Sequence, residues 1–386
     1  MDGESRMRED AAITTAHAAV GSFTEWDPLE EVVVGRLDNA CWPDWDFLDS
    51  HSVSPQRCVA VQRLRGHWRR YPDVVIEAAQ RCLDDFLAVL KGEGVQVRRP
   101  EPYAFHQSYA TPYWGVANGF CAANPRDVVL VIGDTFIECP MAHRGRYFEV
   151  HAYRYLLKEY AARGARWLAA PRPELRDDLY HFGHHWPEHA DGGNGPRRNS
   201  AGRSTSRFPI TEHEPVFDAA DFVRCGRDIF GQVGVVTNHA GISWLRRLLE
   251  PEFRVHLIES RSPGAYHIDT TFMPLAPGKV LVNPEYVDVD RLPKVLQRWD
   301  VLVAPRPRSV PVRLAGWMSD WISLNVLMLD EKRVIVEHEQ EDLIAALKGW
   351  GFAPIPCRFK DYYPFVGSFH CATLDVVRRG VLQSYF

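Results

Sequence analysis

Apolar residues recur at helical spacing in five stretches of the chain, and each stretch ends in a turn and runs into a short apolar segment. Residues 74–91 place Val75, Ala79, Cys82, Phe86 and Leu90 near one helical face, stop at Gly92 and Gly94, and lead into 95–97. Residues 147–162 stop at Gly164 and lead into Trp167 and Leu168. Residues 241–249 stop at Pro251 and lead into 253–258, and 288–298 stop near Asp300 and lead into 301–304. Residues 339–348 stop at Gly349 and Gly351 and lead into 352–356. A glycine past a helix end supplies the positive-φ residue that terminates it.

The segments before these helices also share a pattern. Residues 127–133 with 135–139, and 216–224 with 232–237, each read as two short strands around a turn. So do 267–275 and 279–283 around Pro277-Gly278, and 325–329 and 333–337 around Asp330-Glu331. The predicted unit is strand, strand, helix, strand, complete in four copies. Only 31–35 precedes the first helix, and its missing strand is expected from 369–377 at the far end of the chain. Five such modules, closed by N- and C-terminal strands, would form an α/β propeller with a central channel and no exposed sheet edge. A doubly wound sheet would alternate single strands with helices.

The joints are irregular. Residues 37–71 are rich in Trp, Pro and Asp and read as a long loop, and residues 1–20 read as a disordered tail before a single domain at 21–386. The stretch 181–206 carries His181, His184, His185 and His189. With no carboxylate or Cys at tight ligand spacing inside an ordered element there, it is read as a polar surface loop rather than a metal site.

Composition narrows the class. Apolar residues make up 46% of 386 residues and charged residues 25%, which excludes disorder of the whole chain. With 45 basic against 50 acidic residues, the net charge of −5 gives no support to a nucleic-acid partner. No apolar run approaches the ~18 residues that span a bilayer, so no membrane association is expected. Residues 1–12 are charged and have no apolar core, so no secretory signal is predicted and a cytoplasmic location is expected. The eight cysteines, Cys41, Cys58, Cys82, Cys121, Cys139, Cys225, Cys357 and Cys371, form no C-x-x-C pair. Neither a zinc site nor a disulfide framework follows from them.

The first strand of most modules begins with polar residues that a buried strand would not predict: Asp127, Asp218, His267 with Asp269, and Cys371. His267 and Asp269 are two apart and would share one strand face. Arranged about one axis, these positions converge. A thiolate is a nucleophile and a histidine an acid and base. Clustered carboxylates repel one another unless a cation lies among them, and a guanidinium matches carboxylates through its paired N–H donors. The inferred substrate is a guanidinium compound attacked at its central carbon.

These residues sit in stretches that resemble the amidinotransferases acting on glycine or on inosamine phosphates, within the guanidine-modifying pentein superfamily. The stretches include Trp-Asp-Pro-Leu-Glu-Glu at 26–31, Pro-Arg-Asp at 125–127, Glu-Cys-Pro-Met-Ala at 138–142 and Arg-Tyr-Phe-Glu at 146–149. They continue at 214–230, in Thr237-Asn238, His-Ile-Asp-Thr-Thr-Phe at 267–272, 325–333, Phe-His-Cys at 369–371 and the run 378–385. The resemblance spans residue 24 to the C-terminus. It implies a five-module α/β propeller, Cys371 as nucleophile, His267 as general acid and base, and Asp218 completing a triad. It implies Asp269 as a second guanidinium ligand, Asp127 as a ligand of the donor's α-amino group, and Ser319, beside Trp317 and Met318, near the donor's polar end.

Two departures bear on substrates. Tyr286 stands where the glycine-acting members carry an Arg for the donor carboxylate, and Arg313 and Arg358, near the Trp317 and Cys371 segments in sequence, are the candidates to take over that contact. The Pro-Gly-Ala-Tyr loop at 263–266 also differs, which argues against glycine as acceptor. The expectation is transfer of an amidino group from arginine to an amine, through an amidino-cysteine, with ornithine released and no cofactor or metal. The partners expected are these small molecules, with a homodimer allowed. The rival readings are a guanidine hydrolase of the same superfamily, a non-catalytic guanidinium-binding protein, and a papain-like hydrolase.

Overall fold

The computed structural model describes residues 19–44, 47–51, 58–59, 70–184, 197–198, 204–205, 207–308 and 319–386. It contains five three-stranded sheets built alike. In each, the first strand pairs antiparallel with the central strand, and the central strand pairs parallel with the last. The sheet at the termini has Thr373–Arg378 against Leu29–Val34, then Gln96–Arg98. The second has Val129–Ile132, Thr135–Glu138 and Arg166–Ala169. The third has Phe222–Cys225, Asp228–Gln232 and Arg254–Ile258. The fourth has Phe272–Ala276, Lys279–Val282 and Asp300–Val303. The fifth has Leu327–Met328, Arg333–Glu337 and Ala353–Cys357. The strand expected from the far end of the chain does complete the first module.

Helices fill the crossover from central to last strand in four modules: Asp73–Gly92, Arg154–Ala162, His239–Leu249 and Glu341–Gly349. A parallel pair needs such a crossover, and the apolar face of the helix covers the sheet. Ala79, Cys82, Leu83, Phe86 and Leu90 make that buried face in the first helix. Gly94, Gly164 and Gly351 take positive φ after three of these helices, as the stop signals required.

The structure corrects several expectations. Residues 288–298 form no α-helix but two 3-10 turns, Val289–Arg291 and Lys294–Leu296. Pro293 separates them, since proline lacks the N–H and disfavours helical backbone at the residue before it. Residues 147–162 are α-helical only from Arg154, behind the 3-10 turns Arg144–Arg146 and Glu149–Ala152. The loop at 37–71 includes a short helix, Phe47–His51. Within the histidine-rich stretch, Arg197–Arg198 pairs antiparallel with Ser204–Thr205. His185 and His189 lie outside the described residues, as do 1–18 of the expected tail, whereas Ala19 and Val20 are buried.

Buried ion pairs cross-link the first strands. Arg224 binds Glu25 through two bonds of 2.7 and 2.8 Å and Asp375 at 2.7 Å. Arg126 reaches Asp375 at 2.6 Å, and Arg378 binds Asp375 at 2.7 Å and the Met328 carbonyl at 2.8 Å. Buried charges persist only when paired and hydrogen-bonded, and here each arginine meets several acceptors. Among the described residues, no helix is long and apolar enough to cross a membrane.

Candidate active site

The expected site residues lie one step before their strands, on short helical turns, rather than on the strands themselves. Asp127 is in the turn Pro125–Val128, where Pro125 pre-sets the first helical φ. Asp218 immediately precedes the 3-10 turn Ala219–Asp221, and His267 precedes Ile268–Thr270, which contains Asp269. Cys371 lies in the turn before Thr373–Arg378. His267 and Asp269 therefore do not share a strand face. His267 has φ 59 and ψ 136, a conformation that non-glycine residues adopt only under constraint and at a cost of roughly 1–3 kcal/mol.

These turns bring the groups together in the interior. His267 Nε2 lies 3.1 Å from Asp218 Oδ2, and its Nδ1 lies 3.6 Å from Asp127 Oδ1. The thiol of Cys371 donates to Asp269 Oδ2 at 3.3 Å. One ligand-type atom from each of Asp127, His267 and Cys371 lies within 4.8 Å of the other two. All five side chains are buried. Asp127 Oδ1, Asp218 Oδ1 and Asp269 Oδ1 are buried without a hydrogen-bond partner in the protein. Three acceptor oxygens around one thiol and one imidazole suit a planar cation carrying several N–H donors.

The electrostatics fit that reading. Burial lowers the affinity of His267 for a proton, but Asp127 and Asp218 outweigh it and hold the ring at about 9. Burial pushes the Cys371 thiol well above the usual range, and the nearby Asp269 and Asp127 push it further. Burial also raises Asp127, against the pull of His267 and Arg146. It acts the same way on Asp269, where the bonds from His370 prevail and leave that carboxyl below its ordinary value. The resting site thus holds an imidazolium and a neutral thiol. Its oxygen, nitrogen and sulfur are donor types a divalent ion would use. In the resting state, however, both His267 nitrogens carry protons and the sulfur carries one, so an ion bound to one ring nitrogen and the sulfur would have to displace two protons.

Three further residues belong to the site. Asn325 donates from Nδ2 to the Cys371 sulfur at 3.0 Å, and its Oδ1 accepts the backbone N–H groups of His370 and Cys371 at 2.9 and 3.1 Å. It follows the 3-10 turn Ile322–Leu324 and lies just before the first strand of the fifth module, as Asp127, Asp218 and His267 lie before theirs, although Asp218 and His267 precede their turns. A polar residue at that point in the fifth module was the signal that could have found it. Arg146 donates to Asp127 at 2.9 Å and to both oxygens of Glu149 at 2.9 and 2.8 Å, and lies 3.7 Å from Asp218. His370 bonds Asp269 and Glu25. No periodicity marks either residue: Arg146 joins Glu149 nearby to Asp127 nineteen residues back, and the partners of His370 lie 101 and 345 residues away.

Ser319 and Tyr286 meet as a separate pair, hydroxyl to hydroxyl, at 3.1 Å. Ser319 leads into the 322–324 turn, which packs against the 268–270 turn. Arg358 is exposed and bonded to Asp361 at 2.9 Å, whereas Arg313, Trp317 and Met318 lie outside the described residues. One carboxylate oxygen of Asp127 lies within 4.8 Å of the Cys371 sulfur and of a His267 nitrogen.

No protein-family model matches the chain. The L-arginine:L-lysine amidinotransferase of Pseudomonas savastanoi pv. phaseolicola is 44% identical over 366 residues, covering 95% of this chain and 96% of that protein. The mitochondrial glycine amidinotransferase of Gallus gallus is 40% identical over 387 residues, covering 98% of this chain and 88% of that protein. Among solved structures, SxtG, an amidinotransferase from Microseira wollei in the saxitoxin biosynthetic pathway, superposes with a TM-score of 0.89 at 55% identity, covering 95% of this chain and 100% of that one. The fold is thus the mixed α/β fold of these enzymes. The chain belongs to the amidinotransferase family and is an amidinotransferase, an enzyme of small-molecule substrates.

Proposed function

We propose that this enzyme takes its amidino group from L-arginine and passes it to an amine other than glycine through an amidino-cysteine at Cys371. The observation that carries the reading is the set of three buried, unpartnered carboxylate oxygens of Asp127, Asp218 and Asp269 around Cys371 and His267. A donor guanidinium would satisfy those oxygens. Its positive charge would also offset what holds the thiol protonated, favouring the thiolate. The sulfur then bonds to the guanidino carbon. His267 gives its proton to the departing nitrogen, the carbon–nitrogen bond breaks and ornithine leaves. The incoming amine attacks the amidino carbon, His267 takes the amine's proton, and the carbon–sulfur bond breaks to restore the thiolate. The expected kinetics are ping-pong. Residues 21–386 would act as one domain, with the five modules arranged about the axis where these turns meet.

The substrates rest on weaker contacts. Tyr286 offers the donor carboxylate a neutral phenol, already close to Ser319, where an arginine would offer a charged and bidentate partner. Discrimination between arginine and agmatine, which lacks the carboxylate, should accordingly be shallow. The named acceptors of the relatives, lysine in one and glycine in another, differ, so family membership alone does not select the amine. Incubation with labelled arginine and a panel of amines, read by mass spectrometry, tests the proposal. Ornithine release that depends on an amine larger than glycine is the expected result. Release at the same rate with no amine present would favour the hydrolase reading instead.

A further inference from the structure

Through Asp269, Cys371 is linked to a second line of groups, His370 and Glu25, that the transfer chemistry does not use. Asp269 Oδ2 accepts both the thiol, at 3.3 Å, and His370 Nδ1, at 2.9 Å. The other ring nitrogen, His370 Nε2, lies 3.2 Å from Glu25 Oε2. Glu25 is gripped by Arg224 through both oxygens and lies 3.6 Å from Arg126. Asn325 accepts the His370 backbone N–H, and Arg126 at 3.2 Å and the Thr373 hydroxyl at 3.1 Å donate to its carbonyl, with Asp375 behind the two arginines. His370 and its partners are almost fully buried.

Both nitrogens of this ring therefore face carboxylate oxygens. A neutral imidazole would turn a lone pair toward one of them, so the arrangement needs a donor at each end. We propose that His370 is an imidazolium that positions the nucleophile: it pins Asp269 Oδ2, leaves Asp269 Oδ1 aimed at the donor, and sets a fixed positive charge beside the sulfur. The inference rests on Cys371 being the nucleophile. It separates two functions in one ring. The bond from Nδ1 orients Asp269, and the charge, held by Glu25, favours the thiolate.

Two substitutions divide these functions. Asparagine places an amide donor near the position of Nδ1 but carries no charge and cannot reach Glu25, whereas alanine removes everything. The readout is labelling of Cys371 by iodoacetamide across pH in the full chain without donor, with the label mapped by mass spectrometry. In both His370→Asn and His370→Ala the pH of half-labelling should rise by about one unit or more, the shift that loss of a neighbouring opposite charge produces. KM for arginine should rise about tenfold in His370→Ala and return most of the way in His370→Asn, since a hydrogen bond to a charged group is stronger than a neutral one and asparagine restores it. Unchanged labelling pH in both variants, or no recovery of KM by asparagine, would overturn the proposal. If the variants do not fold, ring nitrogen shifts in wild-type protein labelled with 15N-histidine decide: a buried, doubly protonated ring near neutral pH is expected, and its absence overturns the idea. Failure of arginine to leave an amidino group on Cys371 would strike the transfer mechanism instead, and the labelling shift would still report on His370.

Discussion

At the level of single residues, the resting site holds one proton more than the reacting site needs. With His267 held at about 9 and the thiol higher, the reactive form has lost a single proton from the imidazolium–thiol pair. For arginine, log kcat/KM should climb with unit slope until about pH 9, and in His267→Asn this limb should move toward the thiol's own higher value. A profile flat from pH 6 to 8 would contradict this assignment of protons. Loss of acid–base catalysis should itself cost ~10²–10⁴-fold in rate. Cys371→Ser should abolish both turnover and the adduct formed with donor alone, and an adduct on another cysteine would displace Cys371 from its role. Asn325→Ala removes the one amide bonded to the sulfur and frees two backbone N–H groups. Its kcat should fall by ~10²–10³, the loss seen when a preorganised donor to a developing anion is removed. Asn325→Asp, which sets a carboxylate beside the sulfur, should be worse.

Among the elements, the turns before the first strands matter more than the helices. Each short helical turn points a polar side chain inward just before an apolar strand anchors it. Gly367 shows how closely the last of them is fitted. A Cβ there would sit 2.4 Å from Asn124 Oδ1 and 2.9 Å from Cys371 Cβ. Gly367→Ala must push the nucleophile's turn aside, and a displacement near 1 Å can cost ~10²-fold in rate. Activity should drop by that order while circular dichroism and melting temperature stay near wild type, and full activity would show the turn to be compliant. The strand–strand–helix–strand period was legible in four modules because core-facing helices repeat every 3.6 residues and hairpins alternate. It failed at 288–298, where apolar spacing looked helical but Pro293 broke the hydrogen-bond ladder. It failed again at 147–152, where the chain takes a tighter turn; the turn just before it places Arg146 against Asp127.

For the whole molecule, the buried charges set the pH dependence of stability. Burial raises Asp221 to about 7 against the pull of His267, and raises Glu149 to about 7 against that of Arg146. A raised value means the folded state binds a proton more tightly than the unfolded chain. That contribution is complete below the ordinary carboxyl value and is lost as pH rises through 7. His267, raised to about 9, adds a contribution that is lost as pH rises through 9. Glu25 and Asp375 run the other way: despite burial, Arg224 and Arg126 hold them below the ordinary range, so their contribution vanishes on the acid side. Melting temperature should therefore peak at mildly acidic pH and decline between pH 6 and 8, a decline that Asp221→Asn should soften. A rise over that interval would contradict these shifts. Arg224→Ala leaves Glu25 and Asp375 buried with fewer partners, and chemical denaturation should show a loss of about 3–5 kcal/mol.

Composition and patterning alone determined the repeat, the pairing of the two chain ends, and the candidates Cys371, His267 and Asp218, because apolar periodicity and misplaced polar residues are local properties of a sequence. Patterning also marked Asp127 and Asp269 and suggested a guanidinium substrate, and the resemblance added the individual roles together with Ser319 and Tyr286. Which groups touch was decided in three dimensions. Asn325 to Cys371 and His370 to Asp269 join residues from different modules, Arg146 to Asp127 joins two segments of one module, and His370 to Glu25 joins the two ends of the chain; a contact between separate segments leaves no period to read. The protonation of the site belongs to the same level. An imidazolium and a neutral thiol follow from burial and from the sum of neighbouring charges, and both arise only once the modules have come together.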